Sequence, residues 1–257
     1  MGTYFAWDIF VNHEPLTWQF IGEGIVGGPY IHFWFFYMLI GLYLVTPLVR
    51  IFVAHTSRRL MKYFFALWLI GVSVMPLLNL LLMQDLNNNV FLITGYIGYF
   101  LLGLYLLNIN VNRKLLLVAT FSGFVWTALG TYVITATIGG SKQFFFYDYF
   151  SLGVVLSSIA LFLLLSQVQY SKIKNRFPKL DRLIHYISIN TLAIYLFHFM
   201  ILETLENGYL GFRISLATLN PIIEIPLLTV VTLVICLLVL YPLRKIPYLN
   251  RLVGING

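Results

Sequence analysis

A chain of 257 residues in which 60% are hydrophobic, 17% aromatic and only 10% charged, with a mean hydropathy of +0.88, is not an ordinary soluble domain, where about a quarter of the residues carry charge. The formal charge of +7 does not point to nucleic acid, because the basic residues are scattered through short loops between apolar runs and share no solvent face. The one cysteine, Cys236, lies inside such a run, which excludes an intrachain disulfide and a cysteine metal cluster.

Residues 1–31 open the chain without the basic stretch and apolar core of a signal peptide. Seven apolar runs follow, at 33–53, 63–82, 90–107, 115–138, 149–168, 189–205 and 221–243. A hydrocarbon core of about 30 Å asks for roughly 20 apolar residues per span. Each run is predicted to be a helix, because lipid offers no partner to an unpaired backbone group. The fold class is therefore all-α, a polytopic integral membrane bundle of about seven transmembrane helices. With no long linker, low-complexity tract or internal repeat, residues 1–257 read as a single domain.

The loops orient the runs. Arg50, Arg58, Arg59 and Lys62 flank the first connection, Arg113 and Lys114 the third, and Lys172, Lys174, Arg176, Lys179 and Arg182 the fifth, while Arg244, Lys245 and Arg251 follow the last run. Only Lys142 and Arg213 fall on the other side. The positive-inside rule predicts a multi-pass cell-membrane protein with the N-terminus of this chain outside and its C-terminus in the cytoplasm. That places His32 at the outer mouth of the first run. A leading segment that crosses the membrane without a signal implies an odd number of spans upstream, or an N-out protein inserted by its first span.

The stretch YIHFWFFYMLIGLYLVTPLVR, residues 30–50, resembles the His-(apolar)-Trp-Phe-(apolar)-Tyr-Met segment of the membrane acyltransferase 3 family, which O-acylates surface polysaccharides, peptidoglycan and other acceptors. GYIGYFLLGLYL at 95–106 is similar to that family's Gly-Tyr-rich span, INTLAIYLFHFMILE at 189–203 to its penultimate span, and KIPYLNRLVG at 245–254 to the stretch after its last. The order and spacing of these motifs correspond to the family's C-terminal two-thirds. Members usually have about ten spans, the first carrying a basic residue followed after ten positions by the histidine taken as catalytic base. No such span occurs in this sequence; Lys174 and His185 have the spacing but sit in a basic cytoplasmic loop. The resemblance thus implies a truncated member that lacks its first three spans and the usual base.

The activity so implied is transfer of an acyl group, of acetyl type, from cytoplasmic acyl-CoA to a hydroxyl of an extracytoplasmic glycan. Acyl-CoA enters as co-substrate and no tightly bound cofactor or metal is expected; the other partners are membrane lipid and the glycan. Two other classes stay open, a polysaccharide export or flippase protein and a noncatalytic membrane scaffold. Such a transfer needs a base at the acceptor hydroxyl and donors for the oxyanion. The catalytic candidates in this chain are His198 and His32.

Counted from Ile189, His198 lies about 14 Å into the bilayer, with Tyr195 and Leu202 on its helical face and Asn190 and Thr191 two turns below. His32 stands against Trp34 and Tyr37, either as an interfacial anchor or lining the acceptor mouth as a hydrogen-bonding group. Glu203 and Glu224, at the outer ends of consecutive runs, either reach headgroup water or join Tyr195, Trp34 and Tyr37 in an acceptor vestibule, pairing with His32 or Arg213. Arg58, Arg59 and Lys62 are the candidates for the CoA phosphates, which guanidinium forks suit, although positive-inside sorting alone would put them there. Gly95, Gly98, Gly103, Gly123 and Gly130 are expected to allow close helix approach, and Pro47, Pro76 and Pro226 to kink their helices.

Overall fold

The computed structural model describes residues 2–28, 30–82, 95–107, 109–138, 140–209, 211 and 220–243. Among these, helices appear at all seven predicted places. Five are long and apolar enough to cross a bilayer, at Ile31–His55, Arg58–Leu82, Arg113–Thr137, Phe144–Ser166 and Ile222–Leu243; a sixth is a bent pair, Pro178–Ile189 with Thr191–Asn207; and Gly95–Leu106 is a shorter apolar helix. We number the α-helices α1 (Gly2–Phe10), α2 (Trp18–Val26), α3 (Trp34–His55), α4 (Arg58–Leu69), α5 (Met75–Leu82), α6 (Gly95–Leu106), α7 (Arg113–Thr137), α8 (Leu152–Ser166), α9 (Tyr170–Arg176), α10 (Pro178–Ile189), α11 (Thr191–Asn207) and α12 (Pro221–Leu243). Positions 90–94 of the third run, Arg213, Arg244, Lys245 and Arg251 lie outside the described residues.

Local chemistry sets the element ends. Ser57 caps α4 by accepting the Leu60 N–H at 3.2 Å, and Asn112 caps α7 by accepting that of Lys114 at 2.9 Å, each satisfying an otherwise orphaned donor. Gly208 closes α11 in the left-handed conformation, φ 73°, which a Cβ would resist. Between α4 and α5 the helix widens into a π segment, Ile70–Val74, immediately before Pro76, whose ring would collide with the carbonyl four residues back. Pro47 and Pro226 lie inside α3 and α12.

The sixth run, predicted over 189–205, appears as the single helix α11, and the basic stretch before it, read from the sequence as a loop, adds the helix α10. α10 and α11 meet at 77°, and Asn190 is the reason. Its Nδ2 donates to the Tyr186 carbonyl at 2.7 Å, while the Thr191 hydroxyl donates to the Ser188 carbonyl at 2.9 Å. Side chains thus take carbonyls that would continue the helical ladder. α11 begins at Thr191, so His198 is about 10 Å along it, near the middle of its 17 residues.

The chain forms two compact units, one of Met1–Phe36 with Gln169–Gly257 and one of Tyr37–Val168. In the second, Trp68, Leu102, Leu106, Leu116, Val155, Ala160 and Leu163 from α4, α6, α7 and α8 form the main core, and the Trp68 indole N–H donates to the Gly95 carbonyl at 2.9 Å. Close approach is real at Gly98, where a Cβ would stand 2.1 Å from the Trp68 indole, and at Gly123, where it would stand 2.6 Å from the Gly153 carbonyl. Gly103 departs from the expectation: nothing lies within 4 Å of its Cβ position. Gly123→Ala is therefore expected to cost about 1–3 kcal/mol by forcing α7 and α8 apart, whereas Gly103→Ala leaves stability unchanged or slightly improved. Thermal melts of the two variants in detergent check this; equal melting temperatures would rule out the tight α7–α8 contact.

Candidate functional site

The leading 31 residues, for which the sequence suggested no structure, supply half of a polar cluster in the first unit. In α1 and the turn after it, Tyr4, Asp8 and Asn12 recur every four residues and so share one face. Tyr4 is 1% and Asp8 7% exposed. That face meets α11, where Tyr195, Phe199 and Glu203 are also four apart.

Glu203 is the hub. Its Oε2 accepts from the Trp7 indole N–H at 3.1 Å and from the Tyr30 hydroxyl at 3.1 Å, and its Oε1 accepts from Asn12 Nδ2 at 3.1 Å. Asp8 Oδ1 accepts from the same Tyr30 hydroxyl at 2.5 Å and from Asn12 Nδ2 at 3.0 Å. The N–H and O–H protons of Trp7, Asn12 and Tyr30 thus serve two carboxylates. Burial pushes the Tyr30 phenol well above its usual range, and its hydrogen bond to Asp8 pushes it further, so it stays neutral and donating. Burial also raises the Tyr4 phenol. Tyr209 closes the rim, its hydroxyl donating to Asn12 Oδ1 at 3.3 Å.

His32 lies beside this network. Its ring stacks on Phe199 at 5.2 Å and 20° and meets Tyr4, Tyr195 and His198 at 5.4, 5.6 and 5.1 Å between centroids. The Tyr4 hydroxyl is 3.3 Å from His32 Nε2, and the Tyr195 hydroxyl donates to the His32 carbonyl. His32 Nδ1 is buried and has no partner among the described residues. His198 Nδ1 is 2.6 Å from the Tyr195 carbonyl. A carbonyl only accepts, so Nδ1 must carry the proton and Nε2 keeps its lone pair. One histidine therefore offers a defined acceptor nitrogen and the other an open one.

Of the residues singled out in the sequence, the structure brings together His32, His198, Tyr195 and Glu203. Trp34 is exposed at the surface with its ring against Phe35, and Tyr37 belongs to the other unit. Glu224 is 0% exposed in the first turn of α12, so it does not reach out into headgroup water; a carboxylate there complements the positive end of the helix. Its suggested partner Arg213 is outside the described residues, and Glu203 takes Trp7, Asn12 and Tyr30 instead of His32. Arg58, Arg59 and Lys62 are exposed on the first turns of α4 in the second unit, Arg58 at a cleft of about 200 Å³ with Thr56, Met61 and Tyr105. Tyr4, Trp7, Asp8, Asn12 and Tyr30 were missed. Their signal was the polar step of four in an otherwise apolar stretch.

No curated protein and no solved structure matches the chain. A family model does: that of the acyltransferase domain named acyltransferase 3, over residues 1–241. The match starts at residue 1 and so takes in the leading segment as well as the motif-bearing spans, which adjusts the two-thirds correspondence drawn from the motifs alone. A match over nearly the whole chain, on a helical membrane protein with paired histidines, makes this chain a member of the membrane acyltransferase 3 family.

Proposed function

We propose that this membrane acyltransferase moves an acyl group, with acetyl the type implied by its motifs, from cytoplasmic acyl-CoA to a hydroxyl of an extracytoplasmic glycan. The observation that carries the reading is the pair of imidazoles 5.1 Å apart against a wall of Trp, Tyr, Asn and carboxylate groups. Aromatic faces with planar polar side chains suit a sugar, whose ring stacks and whose hydroxyls both donate and accept.

In this reading His198 Nε2 takes the proton of the acceptor hydroxyl, whose oxygen attacks the thioester carbonyl. The C–S bond of the tetrahedral intermediate then breaks, and the imidazolium proton passes to the departing CoA thiolate. The free Nδ1 of His32 bonds either the incoming hydroxyl or the oxyanion, according to its tautomer. Tyr195 and Glu203 hold the frame, with Glu224, Trp34 and Tyr37 as the remaining acceptor-side candidates. Arg58, Arg59 and Lys62 take the CoA phosphates.

His198→Ala, introduced into the native gene, tests the function: the O-acyl content of the surface glycan, measured by NMR of base-released acid, is expected to fall to background. Unchanged O-acylation with the variant protein present at normal level would rule out this acceptor class. Orientation is tested separately. After replacement of Cys236, a cysteine at Gly140 is expected to react with an impermeant thiol reagent in intact cells, and cysteines at Ser57 or Ser171 only after lysis. The reverse pattern would overturn the sidedness given to donor and acceptor.

A further inference from the structure

A second feature adjoins His198 on the face of α11 turned toward α12. Ile194, His198, Leu202 and Glu206 step by four along α11, and Ile225, Leu228, Thr229, Thr232, Leu233 and Cys236 follow the same period along α12; together they line a cleft of about 470 Å³. Both helices belong to one compact unit. The volume falls within the usual range for small-molecule sites, and the walls are mostly apolar.

Thr232 sets the chemistry of this cleft. An intramembrane threonine ordinarily returns its hydroxyl to the carbonyl one turn back, as Thr229 does to Ile225 at 2.8 Å and Thr204 to Met200 at 2.7 Å. Thr232 is 5% exposed, yet its Oγ1 has no partner among the described residues. A buried hydroxyl without a partner is costly. Lipid cannot supply the missing acceptor, because Thr232 is about 16 Å along the 23-residue α12, at mid-bilayer depth. The ester carbonyls of a phospholipid lie at the edge of a hydrocarbon core about 30 Å thick, a half-thickness away.

We propose that this cleft is the acyl-chain site of the thioester donor: the apolar stripe receives the chain, and the Thr232 hydroxyl donates to the carbonyl oxygen beside His198. The inference rests on the transferase reading and goes beyond it in substrate class. An acetyl group, roughly two waters in size, would leave most of the cleft empty, so the site takes acyl groups longer than acetyl, in place of the acetyl type that the motifs implied. The polarised carbonyl and His198 Nε2 then stand on either side of the forming C–O bond.

The protein in lipid nanodiscs, titrated by calorimetry with CoA, with acetyl-, hexanoyl- and octanoyl-CoA, and with the carbonyl-free S-octyl-CoA, provides the test, empty nanodiscs being subtracted. Affinity is expected to rise with chain length by up to about fourfold per methylene. Octanoyl-CoA is expected to bind a few-fold to about tenfold tighter than S-octyl-CoA, the worth of one hydrogen bond. Thr232→Val keeps the chain-length slope and erases the carbonyl preference. Ile225→Trp, at an exposed rim position, flattens the slope and leaves CoA binding alone. A flat series in the wild type, a slope that survives Ile225→Trp, or a carbonyl preference that survives Thr232→Val would each overturn the site. If the wild type binds no CoA species at all, the transferase reading falls with it. The wild-type comparison of thioester with thioether stands even where a variant fails to fold.

Discussion

Glu203→Ala is expected to loosen α1 from α11, lowering stability by about 1–3 kcal/mol and abolishing the proposed acyl transfer. The carboxylate accepts from Trp7, Asn12 and Tyr30, three donors brought from the leading segment. Without it Tyr30 and Asn12 keep Asp8 as acceptor, while the Trp7 indole N–H loses Glu203, a loss of about 1–3 kcal/mol for a donor left without a partner; the site is only half-buried, so water recovers part of it. Glu203→Gln separates shape from charge. Its amide keeps one acceptor oxygen but turns an NH2 group toward either the Trp7 indole or the Asn12 amide, so it is expected to recover less than half of the loss. Trp7→Phe removes one donor and keeps the ring, for a cost of about 1 kcal/mol. The measurements are thermal melts in detergent together with O-acylation from the altered native gene. A Glu203→Ala protein that melts with the wild type would mean the leading segment is held by its aromatic contacts alone.

The parts of the molecule that were legible in the sequence, and those that were not, follow from the range of the forces involved. The spans were legible because burial in lipid is a bulk effect summed over about 20 residues, and a few misplaced ends do not change the sum. The break at Asn190 was not, because it depends on one amide and one hydroxyl capturing two carbonyls of the preceding turn. Ser-Ile-Asn-Thr at 188–191 held the signal, a cluster of backbone-competing side chains at the start of an apolar run. The helices α1 and α2 were passed over because nine residues each are too few to span a membrane or to stand alone. They are fixed instead by long-range contacts such as Trp7 to Glu203. Glycine content likewise gave candidates without partners: Gly98 and Gly123 face Trp68 and Gly153, while Gly103, on the same helix as Gly98, faces open space.

The placement of the two histidines changes what their substitution is expected to do. Depth counted along the sequence set His32 at the mouth and His198 well below it, which predicts separate effects, His32 on acceptor use and His198 on turnover. With α11 starting at Thr191 and the 3₁₀ turn Ile31–Phe33 leading into α3, the rings instead stand 5.1 Å apart. In the proposed transfer both then act on one step. His198→Ala removes the nitrogen whose lone pair is freed by the Tyr195 carbonyl, and turnover with both substrates saturating is expected to fall by about 10² to 10⁴. His32→Ala removes a hydrogen bond at the same reacting atoms and is expected to cost about tenfold or somewhat more in turnover, not in acceptor affinity alone. Because the two share one transition state in the proposed transfer, the double variant is expected to be little worse than His198→Ala, a coupling that independent sites would not show. Tyr4→Phe completes the set: with no hydroxyl at His32 Nε2, the imidazole is free to change tautomer, and turnover is expected to drop a few-fold while the fold, held by the Tyr4 ring against Phe33 at 5.2 Å, persists. Steady-state kinetics of the four variants decide the matter. Multiplicative losses in the double variant, with the His32 effect confined to acceptor KM, would return His32 to the vestibule wall and leave His198 to act without it.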